Sequence, residues 1–576
     1  MLKDFWSVKN MQKPNYKIRE VDNFRDLLFK SKDLYSEKIA FVLPNEILGK
    51  TSFTYNDFYN DVVTLSTKLI HDGYRNKKII LLSHNSYQWC VIYFAVTCIG
   101  STIIPLDPDL PYEELKNIIK RCKADLMFVD EESFEKLSTR RLPLRPKIKL
   151  TFEPEKDEKK GNYFQMMTEG NALVSAEDKS YKEFQNIEID SDKLSVLLFT
   201  SGTTQKPKAV MLSQRNICFD VTSTLKVVKA DENDRFLTAL PLFHTYMCSF
   251  GLVCPLYLGA SVYICKNIFG MKKAMKTFEP TLLVTVPLIV EKVYNRIISS
   301  VNKNINEKNL SNALVSNEIF QSYIMEALKK SFCKSLRLII TGAAAMNPNI
   351  VSHLRDLDIR IYTGYGLSEC APVVSLVGDK IYENLETFDT VGLPIPGVNV
   401  KIKHPDKEGV GEIRVKGDNV MLGYYNDDKA NKQAFDQDGY FKTGDLGQIT
   451  DQGYIKIVGR LKNVIVSKNG KNIYPEEVEF YLNQDPFVAE AVVTGYPEEY
   501  DTLVKANIFP DFDAIKDKKH LSEMTDEEVK KALEESVKKI NAILPGYKHI
   551  RKIEIKNCEF EKTSTAKIKK VGNNNV

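Results

Sequence analysis

Short runs of apolar residues alternate with helix-like segments over most of the chain. Apolar runs of this length, bounded by polar residues, are typical of buried strands. The runs that predict strands are residues 79–82, 195–199, 282–286, 336–340 and 359–362. The alternation predicts an α/β fold with mostly parallel sheets flanked by helices. Ligands bind at the carboxyl ends of strands in such folds, so the loops after Phe199, Ile340 and Tyr362 are the first candidates.

The C-terminal part of the chain has a different pattern. Thr525-Asp526-Glu527-Glu528 forms a capping box, which predicts the start of a helix. Apolar residues follow at near-helical spacing, namely Val529, Leu533, Val537, Ile540 and Leu544. Because 576 residues are too many for one core, we expect two domains. The boundaries we predict are 1–461 for a large N-terminal domain and 462–576 for a small, mobile α+β domain.

One stretch of the chain resembles a membrane span in its lack of charge. It runs from Trp89 to Leu106, but polar and glycine residues interrupt it and Pro108 follows closely. A buried helix followed by a buried strand fits this pattern better. The N-terminal residues lack the apolar region of a signal peptide, so we expect a cytoplasmic protein. Peripheral contact with a membrane stays open, and so does a homodimer.

Composition excludes some classes of function. The chain has 80 basic and 76 acidic residues, a near-balance that argues against a nucleic-acid-binding protein. Its ten cysteines include no pair at C-x-x-C spacing, so a zinc or redox site is unsupported. Small buried apolar residues in a reducing compartment are the simpler interpretation of these cysteines.

The strongest local motif follows the predicted strand at 195–199. Thr200, Ser201, Gly202, Thr203, Thr204, Gln205, Lys206, Pro207 and Lys208 follow one another there. Hydroxyls, free backbone N–H groups and lysine could hold phosphate oxygens, and glycine permits close approach of the backbone. The pattern does not match the P-loop G-x-x-x-x-G-K-[ST]. From these residues alone, a phosphate loop and a Ser/Thr-rich surface turn remain equally open.

This loop resembles the T-S-G-T-T-G-x-P-K phosphate loop of the adenylate-forming superfamily, with Gln205 in place of the glycine. The superfamily includes acyl-CoA synthetases, peptide-synthetase adenylation domains and luciferases. Further segments resemble its motifs, in the same order along the chain. The resemblance covers residues 200–567.

Three of these segments imply a nucleotide site. Residues 363–369, Thr-Gly-Tyr-Gly-Leu-Ser-Glu, are similar to the motif in which an aromatic ring lies near adenine and a glutamate holds Mg²⁺. Residues 341–345 resemble the small-residue wall beside adenine, and residues 438–445 the D-G-W-x-x-T-G-D motif. The resemblance therefore implies nucleotide contacts by Gly342, Ala343, Ala344, Tyr365, Gly366, Ser368 and Asp445. It implies Mg²⁺ at Glu369 and Thr200.

The remaining segments concern the small domain and its junction. Arg460 matches the arginine near ribose and phosphate, and Lys462 falls on the hinge position. Gly470 falls where the family lines the pantetheine tunnel. Lys567 matches the lysine that bridges the substrate carboxylate and the α-phosphate, with Glu561 and Ala566 replacing the proline and glycine of the motif.

The resemblance is closest to long-chain fatty acid–CoA ligases, which implies ATP, Mg²⁺ and coenzyme A as cofactors and a fatty acid as substrate. His244 resembles the aromatic-His element beside the acyl pocket, where it would gate or orient the acid; a structural histidine is the alternative. Residues 236–265 contain no Asp, Glu, Lys or Arg. An uncompensated ammonium group would be costly there, which favours an apolar acid.

Two other functions remain open at this level. One is acyl transfer to a separate carrier protein in place of coenzyme A. The other is a nucleotide- and acyl-binding protein that has lost catalysis, which the replacements at Gln205, Glu561 and Ala566 would favour.

Overall fold

The computed structural model describes residues 5–7, 12–47, 49–138, 142–143, 147–150, 162–200, 207–295, 326, 334–342, 346–385, 389–467, 471–498, 501–519, 525–562, 568 and 570. The strands within these residues are β1 (Phe5–Ser7), β2 (Ile39–Ile47), β3 (Lys50–Thr54), β4 (Lys78–Leu82), β5 (Thr102–Leu106), β6 (Leu126–Asp130), β7 (Lys147–Leu150), β8 (Leu194–Thr200), β9 (Lys208–Ser213), β10 (Arg235–Thr238), β11 (Ser261–Ile264), β12 (Leu282–Thr285), β13 (Leu338–Gly342), β14 (Arg360–Gly366), β15 (Val373–Leu376), β16 (Leu393–Pro394), β17 (Asn399–Lys403), β18 (Gly411–Lys416), β19 (Gly423–Tyr424), β20 (Phe441–Ile449), β21 (Ile455–Arg460), β22 (Ile465–Val466), β23 (Asn472–Ile473), β24 (Val488–Glu498), β25 (Asp501–Pro510) and β26 (Ile550–Ile555).

The α-helices with both ends in the described residues are α1 (Phe24–Tyr35), α2 (Tyr55–His71), α3 (Tyr87–Cys98), α4 (Tyr112–Cys122), α5 (Glu131–Ser138), α6 (Tyr163–Ser175), α7 (Lys179–Asn186), α8 (Gln214–Leu225), α9 (Thr245–Cys248), α10 (Cys254–Leu258), α11 (Met271–Thr277), α12 (Pro348–Arg355), α13 (Asp379–Glu383), α14 (Asp428–Ala434), α15 (Pro475–Leu482), α16 (Phe512–Lys519) and α17 (Asp526–Ile543). A π-helical turn, Ser249–Val253, joins α9 to α10. Short 3₁₀ turns are Ile268–Gly270, Ser368–Cys370, Leu461–Asn463 and Gly546–Lys548.

Two large sheets form the centre of the N-terminal domain. The first has the strand order β16-β15-β14-β13-β12-β10-β11-β2-β3, and the second has the order β19-β9-β8-β5-β4-β6-β7. The neighbours from β14 to β2 in the first sheet, and from β8 to β7 in the second, pair in parallel. Parallel strands end at the same edge of a sheet, so β10, β11, β13 and β14 deliver the segments that follow them to one edge.

A third sheet in this domain departs from the predicted parallel architecture. It has the order β1-β17-β18-β20-β21, and each of its pairings is antiparallel. Residues of β18 alternate between buried and partly exposed, which is the period-2 pattern of a sheet with one covered face. This sheet carries Asp445 and Arg460 on paired strands.

The strands β13 and β14 extend further than the apolar runs predicted. The prediction ended them at Ile340 and Tyr362, but the structure continues them to Gly342 and Gly366. Gly342 pairs with Gly364, and a Cβ atom on Gly342 would lie 3.3 Å from the carbonyl oxygen of Gly364. The small residues are therefore part of the sheet and let its strands approach closely.

The smaller C-terminal domain has its own core. Strands β24, β25 and β26 form a sheet, and β22 pairs with β23. Helix α17 begins at the predicted capping box, where the Thr525 hydroxyl accepts from the Glu528 N–H and the Glu528 carboxylate accepts from the Thr525 N–H. Four of its five predicted apolar positions, Val529, Leu533, Val537 and Ile540, are buried on the helix, and Leu544 is buried at its C-cap. The fold class is thus confirmed, with a large α/β domain and a small α+β domain.

The uncharged stretch from Trp89 is a buried helix and strand, as predicted. Every residue of α3 and β5 is buried. In the part of the chain that the structure describes, no helix is both long and apolar enough to cross a membrane. Among the described cysteines eight are buried, and Cys558 is exposed.

Candidate active site

Asp445 is a residue of the candidate nucleotide site that side chains from two other strands contact. Its side chain is 6% exposed, and Arg460 on the neighbouring strand reaches it at 2.7 Å from Nε to Oδ1. The hydroxyl of Tyr365 donates to Oδ2 of Asp445, also at 2.7 Å. Burial raises the pKa of Tyr365 well above its usual value and the charge of Asp445 adds to this, so Tyr365 stays a donor.

The backbone around Asp445 explains the Thr-Gly-Asp sequence. Gly444 has a φ of 70°, in the left-handed region that glycine adopts without strain. The Thr443 hydroxyl accepts from the Asp445 N–H at 3.0 Å and donates to the carbonyl of Ile413 at 2.7 Å. These contacts fix the direction of the Asp445 carboxylate, which could accept from two ribose hydroxyls.

Glu369 lies on the 3₁₀ turn Ser368–Cys370, directly after β14. The hydroxyl of Tyr424 donates to its Oε1 at 3.0 Å, and the Met421 N–H donates to its backbone carbonyl at 2.8 Å. Gly366 makes the preceding bulge possible, because a Cβ atom there would lie 2.0 Å from the carbonyl oxygen of Pro372. A partly exposed carboxylate fits Mg²⁺, which prefers oxygen ligands and a small number of carboxylates.

Lys208 and Thr200 flank the predicted phosphate loop, and Lys208 is connected to Glu369 through Tyr424. They pair across the antiparallel strands β8 and β9, and the Lys208 Nζ lies 4.5 Å from the ring centroid of Tyr424. Tyr424 therefore links Lys208 to Glu369 through a cation–π contact and a hydrogen bond. This tyrosine was absent from the predicted site.

Several predicted residues fall outside the described part of the chain. They are Ser201, Gly202, Thr203, Thr204, Ala343, Ala344, Gly470 and Lys567. Lys462 is described and lies in the 3₁₀ turn Leu461–Asn463, directly after Arg460. Desolvation lowers the pKa of Lys462, and the positive charge of Arg460 lowers it further. The roles of all these residues stay predictions.

The segment with His244 forms the acyl-side part of the candidate site. His244 precedes α9, and its ring lies 4.6 Å from the ring of Phe243. The Tyr246 hydroxyl donates to the carbonyl of Ile340 at 2.9 Å, in the strand that ends at Gly342. This bond joins the acyl-side segment to the predicted adenine wall.

A second bond joins this segment to the predicted Mg²⁺ ligand. The Ser249 hydroxyl, at the start of the π-helical turn, donates to the carbonyl of Ala371 at 3.2 Å. The buried carboxylate of Asp220 accepts from the Val373 N–H at 3.2 Å, and burial raises its pKa well above the usual range. The hydrogen bond from Ser249 in the acyl-side segment thus holds the backbone directly after the turn of Glu369. No local spacing in the sequence indicated this contact.

An apolar cavity lies beside this segment. Its lining residues are Tyr93, Pro105, Val196, Leu198, Ile217, Leu242, Phe243, Thr245, Cys248 and Ser249. Its volume of about 10 Å³ has room for about one water molecule, so it would have to widen to take an acyl chain. Among the described residues, no cluster of three or more His, Cys, Asp or Glu could hold a metal by itself.

The fold is that of an adenylate-forming enzyme, and comparison with known proteins agrees. The chain belongs to the AMP-binding enzyme family, and it is an AMP-forming acid–thiol ligase. The family model described as AMP-binding enzyme matches residues 28–425, and the one described as AMP-binding enzyme C-terminal domain matches residues 462–571.

Similar proteins include fatty acid ligases. The chain is 24% identical to the long-chain-fatty-acid–CoA ligase FadD15 of Mycobacterium bovis over 567 residues, which covers 90% of each protein. It is 26% identical to human long-chain-fatty-acid–CoA ligase 1 over 504 residues, 79% of this chain and 70% of the human protein.

Solved structures with the same fold include ligases of other acids. The anthranilate–CoA ligase AuaEII in complex with anthranoyl-AMP matches with a TM-score of 0.74 at 20% identity, over 95% of each chain. The o-succinylbenzoate–CoA synthetase of Bacillus subtilis in complex with ATP and a magnesium ion matches with a TM-score of 0.70 at 21% identity, over 95% of this chain and 98% of that one.

Proposed function

We propose that the protein is a long-chain fatty acid–CoA ligase, which forms acyl-CoA, AMP and diphosphate from a fatty acid, ATP and coenzyme A. The observation that supports it most is the uncharged segment 236–265, which the Tyr246 and Ser249 hydroxyls join to the nucleotide side of the site. A charged substituent on the acid would lose its hydration there without compensation. An apolar acid would instead place its carboxylate toward the nucleotide.

The reaction we propose has two steps. An oxygen of the fatty acid carboxylate attacks the α-phosphorus of ATP, and diphosphate leaves. The thiolate sulfur of coenzyme A then attacks the acyl carbon of the adenylate, and AMP leaves. AMP makes a better leaving group than the oxide that direct attack on a carboxylate would require.

The residues have separate roles in the first step. Asp445 and Arg460 would hold the ribose, while Lys208 and Lys567 would offset negative charge on the phosphates. Glu369, with Thr200 as a second oxygen ligand, would hold Mg²⁺, which offsets further phosphate charge when bound. Tyr424 would keep the Glu369 carboxylate in place, since its hydroxyl already donates to that group.

The second step requires a different placement of the small domain in this proposal. We place the boundary between the domains at Lys462, which lies in the short turn Leu461–Asn463. Rotation about this turn would remove Lys567 from the site and bring Gly470 toward it. A hinge needs only a few residues that change their backbone angles.

The test is pyrophosphate release from the purified protein with ATP, Mg²⁺ and a series of fatty acids, with and without coenzyme A. Release that depends on the acid and increases with coenzyme A would support the ligase, and the series would give the preferred chain length. Release that increases only with an acylatable carrier protein would move the proposal to a carrier-protein ligase. ATP binding without release for any acid would favour a binding protein that has lost catalysis.

A further inference from the structure

The 3₁₀ turn between β11 and α11 exposes two large apolar side chains next to each other. Phe269 is 87% exposed and Ile268 is 43% exposed. Among the described residues they are the only two exposed large apolar side chains that are adjacent in the chain, and Phe269 is the most exposed of all. The Asn267 side chain accepts from the Phe269 N–H at 3.1 Å, which fixes the turn and keeps both side chains outside the core.

Positive charge surrounds this turn. Four exposed lysines lie between Cys265 and Phe278, namely Lys266, Lys272, Lys273 and Lys276, and no Asp or Glu lies between those two residues. Lys266 pairs with Glu132 at 3.2 Å. Within the described part of the chain, the other three have no ion pair. An exposed aromatic residue beside several lysines is the combination that binds to an anionic membrane surface.

The turn lies at the sheet edge that carries the acyl-side segment. Strands β10 and β11 are parallel neighbours, so the residues after Thr238 and after Ile264 leave the sheet at the same edge. Asn85 joins the segments that follow these two strands. Its Nδ2 donates to the carbonyl of Leu240 at 2.8 Å and to the carbonyl of Cys265 at 3.1 Å. A membrane in contact with the turn would thus face the edge from which the acyl-side segment begins.

From these observations we propose that the basic turn, defined as Lys266 to Lys276 with Phe269 at its tip, binds the surface of an anionic lipid bilayer. Two apolar side chains in one turn suit insertion into the interface of a bilayer. They are too few for a stable protein–protein interface, which buries about 800 Å² on each partner. The benefit for catalysis rests on the proposed function, since a long-chain acid dissolves in the bilayer that the turn would contact.

The test is flotation of the full-length protein with two kinds of vesicle, phosphatidylcholine alone and phosphatidylcholine with phosphatidylglycerol. We expect binding to the anionic vesicles that weakens at high salt. Phe269→Asp should reduce it about tenfold, because the aromatic ring no longer enters the interface. The triple variant Lys272→Gln, Lys273→Gln, Lys276→Gln should remove the preference for anionic lipid.

Matched controls separate this surface from general charge and apolarity. Ile543→Asp removes a 64% exposed apolar side chain on α17, and the triple change Lys530→Gln, Lys531→Gln, Lys538→Gln removes the same charge from that helix. Both should bind vesicles as the wild type does. Absence of flotation by the wild type, or equal loss in the α17 controls, would overturn the proposal. So would unchanged flotation of Phe269→Asp, as expected if another protein covers the turn.

Catalysis provides an independent measurement. Pyrophosphate release with dissolved octanoate should be the same in Phe269→Asp and in the wild type, while release with palmitate carried in anionic vesicles should fall. An equal fall with octanoate would overturn the proposal, because the change would then affect the site itself. If no acid supports release, the proposed function fails but flotation still tests the basic turn.

Discussion

The nucleotide side of the large domain and the residues that flank the terminal segment of the small domain differ in the contacts that hold them. Around Asp445, the contacts come from a buried tyrosine hydroxyl and from an arginine on a paired strand, each at 2.7 Å. Glu369 likewise accepts from Tyr424, and its turn is tied to the acyl side through Ala371. Backbone and strand pairing therefore determine most of this geometry.

The terminal segment depends on ion pairs that solvent can reach. On the N-terminal side of this segment, Lys562 forms ion pairs with Glu490 and Glu559. The backbone of Lys562 also forms an isolated antiparallel β-bridge with Ile568. Burial alone would lower the pKa of Lys562, but hydrogen bonds to the two carboxylates raise it. The N-terminal side of the segment is thus joined to β24 by the ion pair of Lys562 with Glu490.

On the C-terminal side of the segment, Lys570 forms ion pairs with α15. Lys570 reaches Glu479 at 2.7 Å and Glu476 at 3.1 Å, and its side chain is 26% exposed. Ion pairs between partly exposed groups are weak and salt-dependent, and this holds also for the pair of Arg460 with Asp445, because the Arg460 side chain is 50% exposed. The hydrogen bond from the buried Tyr365 hydroxyl is much less screened. The comparison indicates that the nucleotide side is a fixed site, whereas Lys562 and Lys570, on either side of the terminal segment, are held by replaceable ion pairs within the small domain.

The largest effect we expect is from Lys567→Ala. Loss of a charge that offsets the phosphates should slow adenylate formation about 100- to 1,000-fold. Thioester formation from supplied acyl-adenylate should change little, because Lys567 leaves the site before that step. Single-turnover measurement of the two steps checks this, with Lys569→Ala as a control of equal charge. Equal loss of both steps would contradict the separate roles of the two domains.

Glu369→Gln should come next, with about 100-fold slower pyrophosphate release. The change keeps the shape of the side chain but removes the charge that would hold Mg²⁺, so more Mg²⁺ should restore part of the rate. Tyr424→Phe is the matched variant, because it keeps the carboxylate and removes only its hydrogen bond. Tyr424→Phe should slow pyrophosphate release about threefold. A Mg²⁺ dependence unchanged in Glu369→Gln would exclude Glu369 as a ligand.

Asp445→Asn should have a smaller effect, confined to nucleotide binding. We expect the KM for ATP to rise about tenfold, because hydrogen bonds to a charged group contribute more than neutral ones. The KM for the acid should stay constant, as it should for ATP in the control Asp451→Asn on an exposed turn. A fall in kcat with no change in the KM for ATP would argue against ribose binding by Asp445.

Sequence patterns indicated those candidate site residues that lie within a strand or shortly after one. Tyr365, Glu369 and Asp445 could be found because apolar runs, glycines and family-like motifs stand at fixed short distances from one another. Tyr424 could not be found in this way, since its partner Glu369 lies 55 residues away along the chain and β19 has only two residues. Contacts of that kind depend on which strands become neighbours, and local spacing does not encode this.

The fold shows the same limit. The parallel sheets were predictable from buried apolar runs, but the antiparallel sheet with Asp445 and Arg460 was not. Its strand β18 alternates between buried and partly exposed positions, a weaker signal than a continuous apolar run. The ends of β13 and β14 were also placed too early, because Gly342 and Gly366 are typical of loops when they are considered without their pairing partners.

The smallest effect we predict tests the ion pairs of the terminal segment. Lys570→Gln and Lys562→Gln should each slow adenylate formation only about two- to fivefold, since partly exposed ion pairs contribute little. High salt should slow the wild type by a similar factor and should affect these variants less, because it weakens the same contacts. Lys530→Gln, whose partner Glu534 is 4.0 Å away on the exposed side of α17, is the matched control and should behave as the wild type. At constant salt the KM for ATP should stay unchanged in both variants, since Asp445 is held by groups in another domain. If either variant instead raised that KM as strongly as it lowered the rate, the nucleotide side and the terminal segment would share one kind of support, and the distinction between a fixed site and a replaceable attachment would fail.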